Sequence, residues 1–223
     1  MERSDDEQIE AVKAWWNQYG TSLLVGIGLA VVLIVGWQGW QSYQVDQRMA
    51  AAARYQELFT ALNSPEDSGE NSEEGRKDAT VTYAADQLRS EHGDTVYAVL
   101  GSLLEAGYLV EDGRADEAVN TLQWALDKVG EEPLPLLVRE RLARAQFIAG
   151  EHEAALSTLE AAGDVGAFAS LYKELEGDIR KAQGDIEGAR QAYAEASEAA
   201  LAGDINPILD YKMADMAISG DDA

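Results

Sequence analysis

The residue types that most often carry chemistry in proteins are scarce in this chain. It has no cysteine, which excludes disulfides, thiolate catalysis and cysteine metal sites. Its two histidines, His92 and His152, show no metal-binding spacing with a second ligand type other than the abundant acidic residues. His152 stands between two glutamates at a predicted turn, where we expect a solvated side chain. The sequence therefore predicts no metal site and no bound cofactor.

Neighbouring carboxylates are the remaining groups that could act as acids or bases. Glu73 and Glu74, like Glu131 and Glu132, lie in polar stretches where no neighbouring group would tune them for proton transfer, so we interpret them as solvated loop charges. The sequence has no phosphate-cradling glycine loop, nucleophile elbow or dinucleotide fingerprint. We therefore predict no catalytic residues and a protein that is not an enzyme.

Acidic residues dominate the charge of the chain. It contains 41 Asp and Glu against 17 Lys and Arg, for a formal net charge of −24 at pH 7. Nucleic-acid binding depends on clustered Lys and Arg that neutralise phosphates, so no nucleic-acid partner is expected. An acidic excess of this kind is more typical of solubility, or of an organism living in salt, than of a cationic ligand.

One long window near the amino terminus has no charge at all. It runs from Ala14 to Val45, and its central part, Leu23 to Trp37, is almost wholly aliphatic. A helix needs roughly 20 such residues to cross about 30 Å of hydrocarbon, so we predict a transmembrane helix at 21–42 after a tail at 1–20. Aromatic side chains suited to the two headgroup layers bracket this span: they are Trp15, Trp16, Tyr19, Trp37, Trp40 and Tyr43.

Two other interpretations of this window are weaker. A signal peptide opens with a basic segment, whereas residues 1–13 hold five acidic and two basic side chains, and the alanines at 50–53 lie well beyond the apolar run. A buried core helix would not explain tryptophans at both ends. Ser22, Gly26 and Ala30 recur every four residues, which predicts a face for close packing against another membrane helix.

Charge alone orients the span weakly. Arg3 and Lys13 before it are matched by Arg48 and Arg54 after it, so the positive-inside bias is close to nil. The short tail and the long domain favour a cytoplasmic amino terminus, because large domains translocate with little regard for charge. The 36 acidic and 15 basic residues after the window would also be poorly attracted to an anionic cytoplasmic leaflet.

A repeated pattern predicts the fold after the window. The chain there is rich in helix formers and has only four prolines, so we expect an all-α fold. Three segments share a frame in which glycine is followed by alanine, a large apolar residue and alanine at offsets of five, nine and twelve. Such helical hairpins resemble the tetratricopeptide repeat, with glycine ending the first helix in a left-handed turn. The frame residues are Gly113, Ala118, Leu122 and Ala125; Gly150, Ala155, Leu159 and Ala162; and Gly184, Ala189, Tyr193 and Ala196.

The domain boundaries follow from this pattern and from the polar stretches. We predict a membrane-proximal helix and acidic linker at 43–78, with the helix at 43–62, and a tetratricopeptide-like α-solenoid at 79–223. Its predicted helices are 79–91, the pairs 96–110 with 115–129, 134–149 with 152–162 and 168–183 with 186–201, and a closing helix at 207–218.

Such a solenoid offers a surface lined by the first helix of each pair, which suits peptides or partner helices. The pattern of Lys and Asn that clamps a carboxy-terminal carboxylate in some chaperone-binding repeats is missing, so that binding mode is not expected. The predicted groove residues are Leu103, Gly107 and Val110 in the first pair, Glu140, Arg144 and Phe147 in the second, and Glu174, Asp178 and Lys181 in the third.

Three stretches resemble one protein family. Glu7 to Gln47 is similar to the amino-terminal signature of the YfgM-like ancillary subunits of the bacterial SecYEG translocon. Gly177 to Ala196 resembles the last repeat of that family, and Ile205 to Ala217 resembles its closing helix. Only the acidic loop at 63–78 looks particular to this chain.

This resemblance implies a single-pass, type II protein of the bacterial inner membrane with a cytoplasmic amino terminus and a periplasmic repeat domain. It implies partners in the SecYEG translocon and in a membrane-anchored parvulin-type periplasmic chaperone, and it leaves contact with translocating polypeptides open. It brings no catalytic or cofactor residues. The alternative is a structural scaffold of an envelope complex without direct substrate contact, while a cytoplasmic signalling adaptor would require the reverse topology.

Overall fold

The computed structural model describes residues 5–63, 74–130, 133–200 and 206–218. Over these ranges the chain forms nine α-helices and a 3-10 turn at Gly166–Phe168, and no strand, which confirms the all-α prediction. The chain divides into two compact units, Met1–Ala50 and Ala51–Ala223. The helices are α1 (Asp5–Asn63), α2 (Glu74–His92), α3 (Val96–Glu111), α4 (Ala115–Lys128), α5 (Leu134–Ile148), α6 (His152–Glu160), α7 (Ala169–Ala182), α8 (Ile186–Ala199) and α9 (Pro207–Ile218).

The first unit consists of α1 up to Ala50, and residues 51–63 of the same helix belong to the second unit. Helix α1 is long and apolar enough to cross a membrane by length and composition. The predicted tail from residue 5, the predicted span and the predicted membrane-proximal helix are all parts of this one helix. The six aromatic side chains are about half exposed or more, and Tyr19 and Trp37 stand about 27 Å apart along the axis at the helical rise. That separation is close to the thickness of a bilayer's hydrocarbon core. Ser22, Gly26 and Ala30 are exposed, and their packing role stays a prediction.

The second unit is a stack of antiparallel helix pairs. The pairs α3 with α4, α5 with α6 and α7 with α8 follow one another, α2 packs on α3, and α9 packs on α8. Each pair closes over a small apolar core shared with the next helix, for example Ala106, Leu122 and Leu142 from α3, α4 and α5. A core of this kind requires neighbouring pairs to cover it, as in other repeat proteins.

Glycine ends the first helix of each pair. Gly113, Gly150 and Gly184 have φ angles of +77°, +84° and +82°, in the left-handed region that glycine adopts without a Cβ clash. In the first pair the N–H of Gly113 donates to Val110 O at 3.1 Å, and the next N–H, of Arg114, donates to Leu109 O at 2.8 Å. These bonds use carbonyls that the ending helix leaves unpaired.

The remaining frame residues mostly face the interior. Ala118, Leu122 and Ala125, Ala155 and Leu159, and Ala189, Tyr193 and Ala196 are all buried. Ala162 differs, because α6 ends at Glu160 and leaves Ala162 half-buried outside the helix. Gly163, with a φ of +69°, stops the helix two residues before the predicted end.

The predicted acidic linker is shorter at its carboxyl end than the sequence suggested. Helix α2 begins at Glu74, so residues 74–78 are helical, whereas 64–73 lie outside the described residues. Polarity alone favoured a loop, but Lys and Arg are good helix formers. A distant ion pair also holds this end, since Arg114 Nη2 lies 2.7 Å from Asp78 Oδ1.

The amino end of α8 makes stability depend on pH. Asp185 accepts hydrogen bonds from Gly188 N at 2.9 Å and from Arg180 Nη1 at 3.1 Å, and these two donors, the backbone N–H first, hold the pKa of Asp185 below its usual 3.8. A carboxyl with a lower folded pKa stabilises the fold above its unfolded pKa and loses this effect as the pH falls through the folded pKa. We expect Asp185→Asn to lower the midpoint of thermal unfolding near about pH 7. The difference in midpoint between the variant and the wild type should disappear as the pH falls below about 4. Thermal melts across this range, followed by circular dichroism, would contradict this if the two curves ran parallel.

Candidate functional site

An open cleft lies where α5, α7, α8 and α9 meet. It has a volume of about 430 Å³ and brings together three of the predicted groove residues, Phe147, Asp178 and Lys181. Its lining is Phe147 from α5, Asp178, Lys181 and Ala182 from α7, Tyr193 from α8 and Lys212 from α9. The cleft is thus lined mainly by first helices of pairs, together with the closing helix.

A polar network forms one wall of the cleft. Lys212 Nζ lies 2.7 Å from Glu174 Oε1 and 2.7 Å from Asp178 Oδ2, so one ammonium bridges two carboxylates one turn apart on α7. Tyr193 OH donates to Asp178 Oδ1 at 2.9 Å. Burial, and then the nearby Asp178 charge, raise the pKa of Tyr193, so the phenol remains a donor. Both oxygens of Asp178 are therefore engaged, which leaves this carboxylate a structural role.

Two other lining side chains, Phe147 and Lys181, are more available to a partner. Lys181 Nζ pairs with Asp215 Oδ2 at 2.7 Å, and both side chains are about two-fifths exposed. The half-buried Phe147 ring lies 5.5 Å from the His152 ring. His152 is thus half-buried and packed on an aromatic side chain, so the expectation of a solvated histidine is wrong. A partner could contact Phe147 and Lys181 without breaking the network on Lys212.

Three predicted groove residues are less available than expected. Glu140 is fully buried, so it does not belong to the groove surface. Leu103 and Val110 are half-buried against the core between α3, α4 and α5. Glu140 is covered because α5 packs against α3, α4, α6 and α7, and Leu103 and Val110 are covered because α3 packs against α4 and α5. Arg144 keeps about a third of its side chain exposed, and Gly107 is exposed on α3.

The contribution of α9 to this site was not predicted from the sequence. Lys212 completes the network, and Asn206 Nδ2 donates to Glu174 Oε2 at 2.9 Å from just before the same helix. A signal was present, because the acids at 174 and 178 share one helix face and the closing helix carries a single lysine. Over the described ranges, no group of three or more His, Cys, Asp or Glu side chains could hold a metal ion.

Comparisons with known proteins cover nearly the whole chain. The family described as "Tetratricopeptide repeat-like domain" matches residues 13–218, a range that includes the apolar helix and all the repeats. The chain is 32% identical over 210 residues to a protein of Escherichia coli (strain K12) named "Ancillary SecYEG translocon subunit", and the match covers 94% of this chain and 93% of that protein.

Two further relatives carry the same name. They come from Aggregatibacter actinomycetemcomitans and Haemophilus influenzae, and each is 30% identical over 195 residues, which is 87% of this chain and 89% of the relative. No solved structure matches the chain significantly.

Proposed function

The chain belongs to the family of ancillary SecYEG translocon subunits with a tetratricopeptide repeat-like domain, and on that premise we propose that it is a membrane-anchored, non-catalytic partner of the SecYEG translocon. One observation carries the proposal above all. The similarity spans the apolar helix and the repeats together, so the chain shares the whole arrangement of its relatives and not only a widespread repeat.

In this proposal α1 anchors the chain in the bacterial inner membrane once. The amino terminus is cytoplasmic and the repeat domain is periplasmic. The exposed apolar surface of α1, with aromatic side chains near both ends of the span, supports the anchor. The strongly acidic composition after the span supports the orientation, since that part would gain little from an anionic cytoplasmic leaflet.

The repeat domain would bind partner proteins and help to pass translocated proteins to periplasmic chaperones. A membrane-anchored parvulin-type chaperone is the partner that the family resemblance suggests. The cleft around Phe147 and Lys181 supports a binding role, because it offers an aromatic and a cationic side chain at one open surface. A fixed anchor raises the effective concentration of such a surface near the translocon, so high intrinsic affinity is unnecessary.

Photocrosslinking in living cells tests this function. A photoreactive amino acid replaces Phe147 or Lys181 in the cleft, and the exposed Glu153 of α6 serves as the matched control position. We expect the cleft positions, and not the control, to crosslink to a membrane-anchored chaperone and to an arrested translocating chain, because only the cleft faces them. Mass spectrometry identifies the products.

Other outcomes separate the alternatives. Crosslinks to stable membrane proteins alone, without any translocating chain, would favour the structural scaffold. The chain has no cysteine, so a single cysteine at the exposed Asp164 reports the topology of the same cells through a membrane-impermeant maleimide. Labelling only after lysis would reverse the proposed orientation and revive the cytoplasmic adaptor.

A further inference from the structure

Helix α5 differs in charge from every other helix of the described chain. It contains Arg139, Arg141 and Arg144 against one acidic residue, Glu140. Among α1 to α9 it is the only helix with more basic than acidic residues, in a chain with a net charge of −24. A local reversal of charge on so acidic a protein favours contact with acidic groups at that position.

The buried Glu140 holds one of these arginines in place and lies beside a second. Its Oε1 accepts hydrogen bonds from Arg144 Nε at 2.9 Å and Nη2 at 2.7 Å. Its Oε2 lies 3.4 Å from Arg141 Nη1 as an ion pair, and this oxygen is buried without a hydrogen bond. The single carboxylate thus fixes the guanidinium of Arg144 and lies near that of Arg141, and it neutralises only one of the two charges. A net positive charge is left, next to a guanidinium whose position is already restricted.

Apolar side chains flank the two arginines along the same face. Leu137 is half-buried, Arg141 is 50% exposed, Arg144 is 34% exposed and Ile148 is 50% exposed. Their spacings of four, three and four residues place them on one side of α5, over about 16 Å of helix. We call these four residues the α5 stripe. Along the helix, the side chains of the α5 stripe are apolar, basic, basic and apolar. Its last residue, Ile148, follows Phe147, which lines the cleft.

We propose that the α5 stripe docks a polypeptide segment whose acidic side chains lie between apolar ones. Acidic groups of the partner would meet Arg141 and Arg144, while its apolar groups would cover Ile148 and Leu137. Charge complementarity selects this partner, because a neutral segment would gain nothing from the arginines and a basic segment would be repelled by them. This mode differs from capture of a chain terminus, because it uses side-chain carboxylates.

The inference rests on the proposed function only in assuming that the repeat domain binds proteins. A binding assay on the purified full chain therefore separates the two. Failure of the peptide to bind would overturn the α5 inference and leave the translocon proposal intact. Loss of translocon association in cells, with peptide binding preserved, would do the reverse.

The probe is a fluorescein-labelled 16-residue peptide with leucine at positions 3 and 14, glutamate at 7 and 10, and alanine or glutamine elsewhere. It is titrated with the full chain in nanodiscs of zwitterionic lipid, and empty nanodiscs correct for lipid binding. Fluorescence anisotropy gives the Kd. We expect the glutamate peptide to bind at least about fivefold more tightly than the same peptide with glutamine at 7 and 10.

Two variants locate the site on α5. Arg141→Gln leaves the bonds between Arg144 and Glu140 in place, so the fold is retained, and we expect it to weaken binding at least about threefold. Ile148→Ser removes exposed apolar area and should weaken binding of both the glutamate and the glutamine peptides. The matched control, Arg190→Gln on α8, removes an arginine of similar exposure that pairs with Glu187 and donates to Met216 O at 3.2 Å, and it should leave the Kd unchanged.

Several results would overturn the proposal. Equal affinity for the glutamate and glutamine peptides would mean that the arginines do not select the partner. Equal effects of Arg141→Gln and Arg190→Gln would mean that only the overall charge matters. If the Kd of the glutamate peptide stays the same between 50 mM and 200 mM salt, the charge pairing on which the inference depends is excluded.

Discussion

Gly177→Ala is expected to lower the free energy of unfolding by about 2–3 kcal/mol, because a Cβ at this position of α7 would overlap the ring of Tyr193. Helices α7 and α8 approach each other closely at this glycine. The ring cannot easily retreat, since Tyr193 is buried and its hydroxyl is bonded to Asp178 on α7 itself. The strain must therefore be relieved by moving α8 away from α7, which opens the core beneath α9.

A matched glycine separates this contact from backbone effects. Gly107 lies within α3, and a Cβ there would meet nothing within 4 Å. Gly107→Ala should therefore stabilise the chain by about 0.5–1 kcal/mol, the usual gain of alanine over glycine inside a helix. Urea unfolding of the full chain in detergent, followed by circular dichroism, measures both variants. Similar stability of the two alanine variants would show that the contact between Gly177 and Tyr193 carries no strain.

The second large effect is expected at Lys212. Lys212→Gln should lower the free energy of unfolding by about 2–3 kcal/mol, because it leaves the carboxylates of Glu174 and Asp178 close together and without their cation. All three side chains are at least three-quarters covered, so water cannot fully replace the ammonium. We expect α9 to detach from α7 first, with faster hydrogen exchange of the α9 amides than of the α5 amides.

An exposed ion pair provides the control for Lys212. Lys128 Nζ lies 3.6 Å from Asp94 Oδ1, and the Asp94 side chain is almost fully exposed. Lys128→Gln should change stability by no more than about 0.5 kcal/mol. Adding Glu174→Gln to Lys212→Gln should restore part of the loss, since one of the two unpaired charges is removed. Equal losses for the Lys212 and Lys128 variants would contradict a structural role for the bridge.

Local signals explain what was predictable in this fold. Gly113, Gly150 and Gly184 end helices because glycine adopts the left-handed backbone conformation at lower cost than other residues. Prolines mark helix starts, so most helix boundaries follow from single residues. The all-α fold follows from helical periodicity and a lack of breakers. These features depend on neighbours along the chain, which a sequence displays directly.

The failures come from contacts between helices. Glu140 was predicted to lie on the surface because glutamate is rarely buried. Four helices, α3, α4, α6 and α7, pack against α5, however, and Arg144 holds the buried carboxylate through two hydrogen bonds. The helical start of α2 depends in part on Arg114, far along the chain. The Lys212 bridge joins α9 to α7 across 34 residues. No local pattern contains such pairings, so they appear only when the packing is known.

The order in which the helices pack has a consequence for how the domain assembles. Each helix of the second unit packs chiefly on helices one or two places away along the chain. Contacts between nearby segments close small loops, so folding can be fast and can start before the whole domain is present. During synthesis the hairpin of α3 and α4 can therefore form before α7 exists, while Lys212 can secure α9 only at the end. The domain is therefore suited to folding progressively from its amino-terminal side while the chain is being synthesised.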